Sequence, residues 1–171
     1  MEGEIVNRVA KSSLITIDLE EFYPDGNRVV FDIKDWLWEG LVLKEKEFRS
    51  AINDHNWEEY EDKFIAINCS GDAIIPAWAY MLVAVKLKPY AKRIVHGNLK
   101  DLETALFIDV VESLDLHPFK DKPIIIKGCS QKPVPENAYI HLISRLEGVA
   151  RSIQYGEACS SVPLYKKSKI K

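Results

Sequence analysis

Cysteine and methionine are scarce in this chain and long apolar runs are missing, and each shortage removes a class of protein. Of 171 residues, 3 are Cys and 2 are Met. Three cysteines with no Cys-x-x-Cys among them argue against a disulfide framework and against a closely spaced zinc motif. No apolar stretch approaches the roughly 18 residues of a membrane span. The opening residues, Met1-Glu2-Gly3-Glu4, lack the basic head of a secretion signal, so a cytoplasmic protein with free thiols is expected. There is no Gly-rich phosphate loop, no His-Glu-x-x-His, no Gly-x-Ser-x-Gly and no Walker lysine. Nor is there an excess of positive charge. The net charge is -3, which argues against duplex nucleic acid as the main partner. What remains is a chain of single-domain length, 47% apolar and able to bury a core. We read 1–171 as one domain.

The strongest positive feature is an internal repeat. Residues 62–97 (DKFIAINCSGDAIIPAWAYMLVAVKLKPYAKRIVHG) align with residues 121–156 (DKPIIIKGCSQKPVPENAYIHLISRLEGVARSIQYG). One residue is inserted before Cys129 and one removed after it. Asp62/Asp121, Ile65/Ile124, Ile67/Ile126, Cys69/Cys129, Ser70/Ser130, Pro76/Pro135, Tyr80/Tyr139, Leu87/Leu146 and Gly97/Gly156 are among the identical pairs. Each copy carries the punctuation of a βαβ unit. An Ile-rich run of strand length is followed by a Cys-Ser loop and a proline suited to a first helical turn. Apolar residues at helical spacing come next (Tyr80, Leu82, Val83, Leu87; Tyr139, Leu142, Ile143, Leu146), then a short strand ending in Gly.

Leu99 to Leu114 is predicted to be a connecting helix, ended by Pro118. Upstream, Leu14 to Leu19 and Arg28 to Asp32 flank Asp25-Gly26, a hairpin turn signal. Lys44 to His55 has the spacing of an amphipathic helix. Trp36, Trp38 and Trp57 are expected to cover one side of the core. The fold class is therefore α/β: a mostly parallel sheet built from the duplicated βαβ unit, with an N-terminal β-hairpin and helix.

The cysteines share one local pattern. Cys69, Cys129 and Cys159 are each followed by serine and then by an aliphatic-proline pair: Ile75-Pro76, Val134-Pro135 and Val162-Pro163. In the two repeats the thiol stands just ahead of a helix N-terminus, a setting that favours thiolate. If all crossovers lie in one sheet, Cys69, His96 and Cys129 reach the same carboxyl edge, where open α/β sheets place ligands. Cys159 follows shortly after the last strand. Three thiolates with His96 as fourth ligand would suit zinc or an iron–sulfur cluster. Asp72 and Glu157 are carboxylate options. The opposing reading makes the cysteines packing residues, since cysteine is often a buried small hydrophobe.

The strings NRVAKSSLITIDLEEFYP, DIKDWLWEGLVLKEKEFR, NCSGDAIIPAWAYM, KGCSQKPVP and YGEACSSVPLYKK carry a resemblance over nearly the whole chain. It resembles the bacterial family catalogued as domain of unknown function 2480, found mainly in Bacteroidetes, whose cysteine motifs match at Cys69, Cys129 and Cys159. No activity transfers with that likeness. What it implies is an accessory role in sulfur or iron handling, beside iron–sulfur assembly proteins. Three functions follow as expectations: a cytoplasmic Cys-cluster protein that binds metal or sulfur in iron–sulfur metabolism; a non-catalytic interaction module with structural cysteines; and a thiol enzyme with Cys69 or Cys129 as nucleophile and His96 as base.

Overall fold

A computed structural model of the chain describes residues 13–128, 131–157 and 159–168. In chain order its elements are β1 (Ile15–Ile17), β2 (Arg28–Asp32), α1 (Glu45–Asp54), β3 (Phe64–Asn68), α2 (Ala77–Leu87), β4 (Arg93–His96), α3 (Leu99–Ser113), β5 (Pro123–Ile126), α4 (Glu136–Leu146), β6 (Ser152–Glu157) and β7 (Ser160–Lys166). Short 3-10 turns follow β1 and β2 at Leu19–Phe22 and Ile33–Trp36. The chain divides into two compact units. A central unit comprises Pro24–Leu106, and a terminal unit comprises Met1–Tyr23 with Phe107–Lys171.

The central unit holds a parallel sheet in the order β2-β3-β4. Strand β3 is buried along Phe64 to Ile67, as expected of a middle strand covered on both faces. Alternation sends Ile65 and Ile67 to one face, against Val83 and Leu87 of α2, with Phe31, Phe48, Ile52 and Trp57 completing that layer. Phe64 and Ala66 go to the other face, against Leu102 and Leu106 of α3. The terminal unit repeats the plan in the order β1-β5-β6-β7, with β7 antiparallel to β6. Its core gathers Ile124, Ile126, Leu142, Leu146 and Ile153 with Phe107 and Val111. Burying each such aliphatic side chain contributes about 1.5–3 kcal/mol.

The duplication persists in backbone detail. Asp62 and Asp121 both adopt positive φ, 59° and 55°, one of the few settings where a short polar side chain tolerates the left-handed region. The amide of Asp62 donates to Tyr90 O at 3.1 Å and that of Asp121 to Val149 O at 2.9 Å. Lys92 and Arg151 each donate 2.9 Å back to Lys63 O and Lys122 O. Strand registers match as well: Ile67 pairs with His96, and Ile126 with Tyr155.

The repeat also reaches upstream of the aligned segments. Strands β1 and β2 hold equivalent places, Ile17 beside Ile126 and Phe31 beside Ile67. An aspartate caps the 3-10 turn after each: Asp18, next after β1, accepts from the Glu20 amide and Asp32, the last residue of β2, from the Lys34 amide, both at 3.0 Å. Carboxylate acceptors are favoured at such caps.

Three expectations need correction. β1 and β2 do not form a hairpin; they lie in separate sheets, each parallel to the strand that opens a repeat. Gly26 explains the misleading turn signal. Its φ is 149°, and a Cβ there would stand 2.7 Å from the Phe64 ring, so glycine is required for close packing on β3. The single sheet also becomes two, and β4 and β5 do not share one. Trp36 and Trp57 cover the α2-side core as expected, and Trp57 Nε1 donates 2.8 Å to Ile52 O. Trp38 does not: it is 48% exposed, with Lys44 Nζ 3.8 Å from its ring centroid. Among the described residues no helix is long and apolar enough to cross a membrane.

Candidate functional site

In the central unit three parallel strands end side by side, so Asp32, Asn68 and His96 arrive at one carboxyl edge. The loop after β3 begins with Cys69 and Ser70. It is tied down by Asp32, whose Oδ1 accepts the Ser70 amide at 3.0 Å as well as the Lys34 amide. Burial works to raise the Asp32 pKa, but the hydroxyl and amide of Ser70 and the Lys34 amide outweigh it and hold the carboxyl below its ordinary value.

Cys69 is a free, half-buried thiol packed against the α2-side core. Its Sγ donates 3.8 Å to Gly71 O. Tyr80, in the first turn of α2, stacks at a tilt on His96, the ring centroids 4.3 Å apart. Burial, then the nearby Cys69 and Asp32, push the Tyr80 phenol above its usual pKa. The phenol therefore stays protonated at neutral pH and is available as a donor. Below this corner, Ile67, Tyr80 and His96 join residues of α2 and β4 around an open cavity of about 510 Å³. On the opposite face of β3, Asn68 Oδ1 is buried with no hydrogen-bond partner among the described residues.

The terminal unit builds its edge from different chemistry. Lys127, at the repeat position of Asn68, places Nζ 2.7 Å from Asp18 Oδ2. Burial raises the Asp18 pKa, but the Lys127 bond and the Glu20 amide prevail and leave it lowered. Glu20 Oε1 accepts the amides of Gln131 and Lys132 at 2.8 and 2.7 Å. Tyr155, at the position of His96, donates 3.2 Å to Gly128 O and packs edge-on against Tyr139, the counterpart of Tyr80.

Of the residues read as candidates, Cys69 and His96 thus share one sheet edge. Cys159 belongs to the terminal unit, exposed in the turn between β6 and β7. Cys129 lies outside the described residues. Asp72 and Glu157 are exposed, one in each unit. Among the described residues, no group of three or more His, Cys, Asp or Glu side chains could hold a metal ion. Cys69 and His96 alone fall short of a closed tetrahedral zinc site, which needs a full set of protein ligands. Sequence reasoning missed Asp32 and gave Tyr80 only a packing role. The identity of Tyr80 and Tyr139 was the signal for the latter; nothing local marks Asp32, whose partner Ser70 comes 38 residues later.

A family model described as a protein of unknown function (DUF2480) matches residues 3–167. The chain belongs to this family. No curated protein and no solved structure matches it. The DUF2480 assignment brings no reaction with it, so the chemistry must be read from the edge itself.

Proposed function

We propose that the protein works through Cys69, as a cytoplasmic thiol carrier that holds a small sulfur-bearing or electrophilic cargo at the carboxyl edge of the central sheet. The observation that carries this reading is the setting of the thiol. Cys69 follows the middle strand β3 at the carboxyl edge of the sheet, near enough to the Tyr80 phenol to join burial in pushing its pKa up, and Tyr80 is itself stacked on the imidazole of His96. The phenol supplies a hydrogen-bond donor to a charged sulfur or to the cargo. The Asp32 carboxylate fixes the loop that presents the thiol. A place beside iron–sulfur assembly proteins rests on the family resemblance alone, and Cys69 is the group through which the central unit would take part.

The test is anaerobic purification followed by cyanide release of labile sulfur and metal analysis. The reading expects cyanide-labile sulfur on the native protein and none on Cys69→Ser, with Cys159→Ser retaining it. Protein that carries no labile sulfur even after incubation with a low-molecular-weight persulfide would overturn the carrier role. It would leave an interaction module with structural cysteines.

A further inference from the structure

The two units treat one loop in opposite ways. In the terminal unit the loop after β5 bends at Gln131 and Lys132, and both of their amides donate to Glu20 Oε1, at 2.8 and 2.7 Å. Two successive main-chain N–H groups converging on one oxygen form a cradle for an anion. Here the chain supplies the carboxylate itself, from the 3-10 turn that Asp18 caps.

The loop after β3 bends at the matching residues, Gly71 and Asp72, which stand two and three places after Cys69 as Gln131 and Lys132 stand after Cys129. In the place of Glu20 the central unit has Lys34, whose amide bonds Asp32 as the Glu20 amide bonds Asp18. The Lys34 side chain also runs to the loop: a Cβ on Gly71 would stand 3.3 Å from its Cγ and 3.6 Å from its Cδ. Among the described residues the Gly71 and Asp72 amides donate to no acceptor, and Lys34 forms no ion pair. Two carboxylates belong to the same corner. Asp32 is already engaged by Ser70 and the Lys34 amide, and Asp72 is exposed. The thiol is part of this loop as well, with Cys69 Sγ 3.8 Å from Gly71 O. One unit thus fills its cradle with a carboxylate of its own, and the other sets a lysine beside the cradle and a cysteine at its start.

We propose that the Gly71 and Asp72 amides and the Lys34 ammonium bind the carboxylate of a small molecule that reacts with Cys69, namely a low-molecular-weight persulfide bearing a carboxylate. Charge-assisted bonds from two amides and an ammonium give the site its preference for an anion. The Cys69 thiolate attacks the outer sulfur of the donor. A Cys69 S–S bond forms as the donor's S–S bond breaks, and the donor leaves as its thiolate, so no outside oxidant or reductant is needed. The identity of the donor rests on the carrier reading of Cys69; the carboxylate cradle does not.

The experiment alkylates the full chain with iodoacetate and, separately, with iodoacetamide at fixed ionic strength, and reads each cysteine by mass spectrometry. The reagents share a leaving group and differ in carrying a carboxylate or a neutral amide, so the ratio of their rates cancels any change in thiolate fraction. Lys34→Glu, which gives the central unit the carboxylate that the terminal unit has, should lower the ratio at Cys69 about tenfold or more. Asp72→Pro removes one amide together with a negative charge and should still lower it about threefold or more. Asp72→Asn, which removes the charge alone, should not lower it. Acetate should slow iodoacetate at Cys69 and leave iodoacetamide unaffected, and the ratio at the exposed Cys159 should stay constant throughout. A Cys69 ratio unmoved by Lys34→Glu, or raised by Asp72→Pro as loss of charge alone would raise it, would overturn the proposal. The carrier reading fails separately: a preference for iodoacetate in a protein that takes up no labile sulfur keeps the cradle and removes the persulfide, whereas sulfur uptake without that preference removes the cradle alone.

Discussion

Asp32 Oδ1 accepts the amide of Ser70 at 3.0 Å, joining the end of β2 to the first residues after β3. One carboxylate caps a 3-10 turn and anchors the loop that carries Cys69. In the terminal unit the equivalent Asp18 caps its turn and turns its second oxygen to Lys127. One inherited aspartate thus serves a thiol loop in one unit and an ion pair in the other.

Acid should expose both aspartates. The folded pKa of each is lowered, so its contribution to stability is complete above the unfolded value of 3.8 and is lost as pH falls towards the folded value. Thermal unfolding followed between pH 7 and pH 2, both about two to three units from that value, should show the wild type losing stability below about pH 4. Asp18→Asn and Asp32→Asn should each shallow that loss. Removing the cap altogether with Asp32→Ala should cost about 0.5–2 kcal/mol at neutral pH.

The duplicated cores predict paired responses. Leu87 and Leu146 are fully buried at equivalent positions, in the last turns of α2 and α4. Leu87→Ala and Leu146→Ala should each cost about 2–5 kcal/mol in denaturant unfolding. A negligible loss at either position would mean that the repeat is not packed alike in the two units.

Asp62 should tolerate glycine and resist valine. At φ 59° the backbone occupies the left-handed region, open to Gly and strained for a β-branched residue. Asp62→Val should lower stability by about 1–2 kcal/mol. Asp62→Gly should stay near the wild type, a contrast that differential scanning calorimetry resolves.

How much of this was legible in the sequence depended on range. The βαβ repeats could be read because each is contiguous, and Ile65/Ile124, Tyr80/Tyr139 and Leu87/Leu146 keep their spacing. Strands β1 and β2 were legible as strands but not in their pairing. Asp25-Gly26 marks a turn locally, while burial of β3 and β5 draws each strand to a distant parallel neighbour. The gathering of thiols onto one rim assumed that α3 returns the chain to the same sheet. Instead, its Leu102 and Leu106 pack in the central core and its Phe107 and Val111 in the terminal one.

Residue-resolved alkylation of the native protein with iodoacetamide, read by mass spectrometry, tests the thiol site most directly. If Tyr80 and His96 set the surroundings of Cys69, Tyr80→Phe and His96→Ala should each change its rate by about threefold or more and leave Cys159 unaffected. A Cys69 rate indifferent to both substitutions would contradict the account.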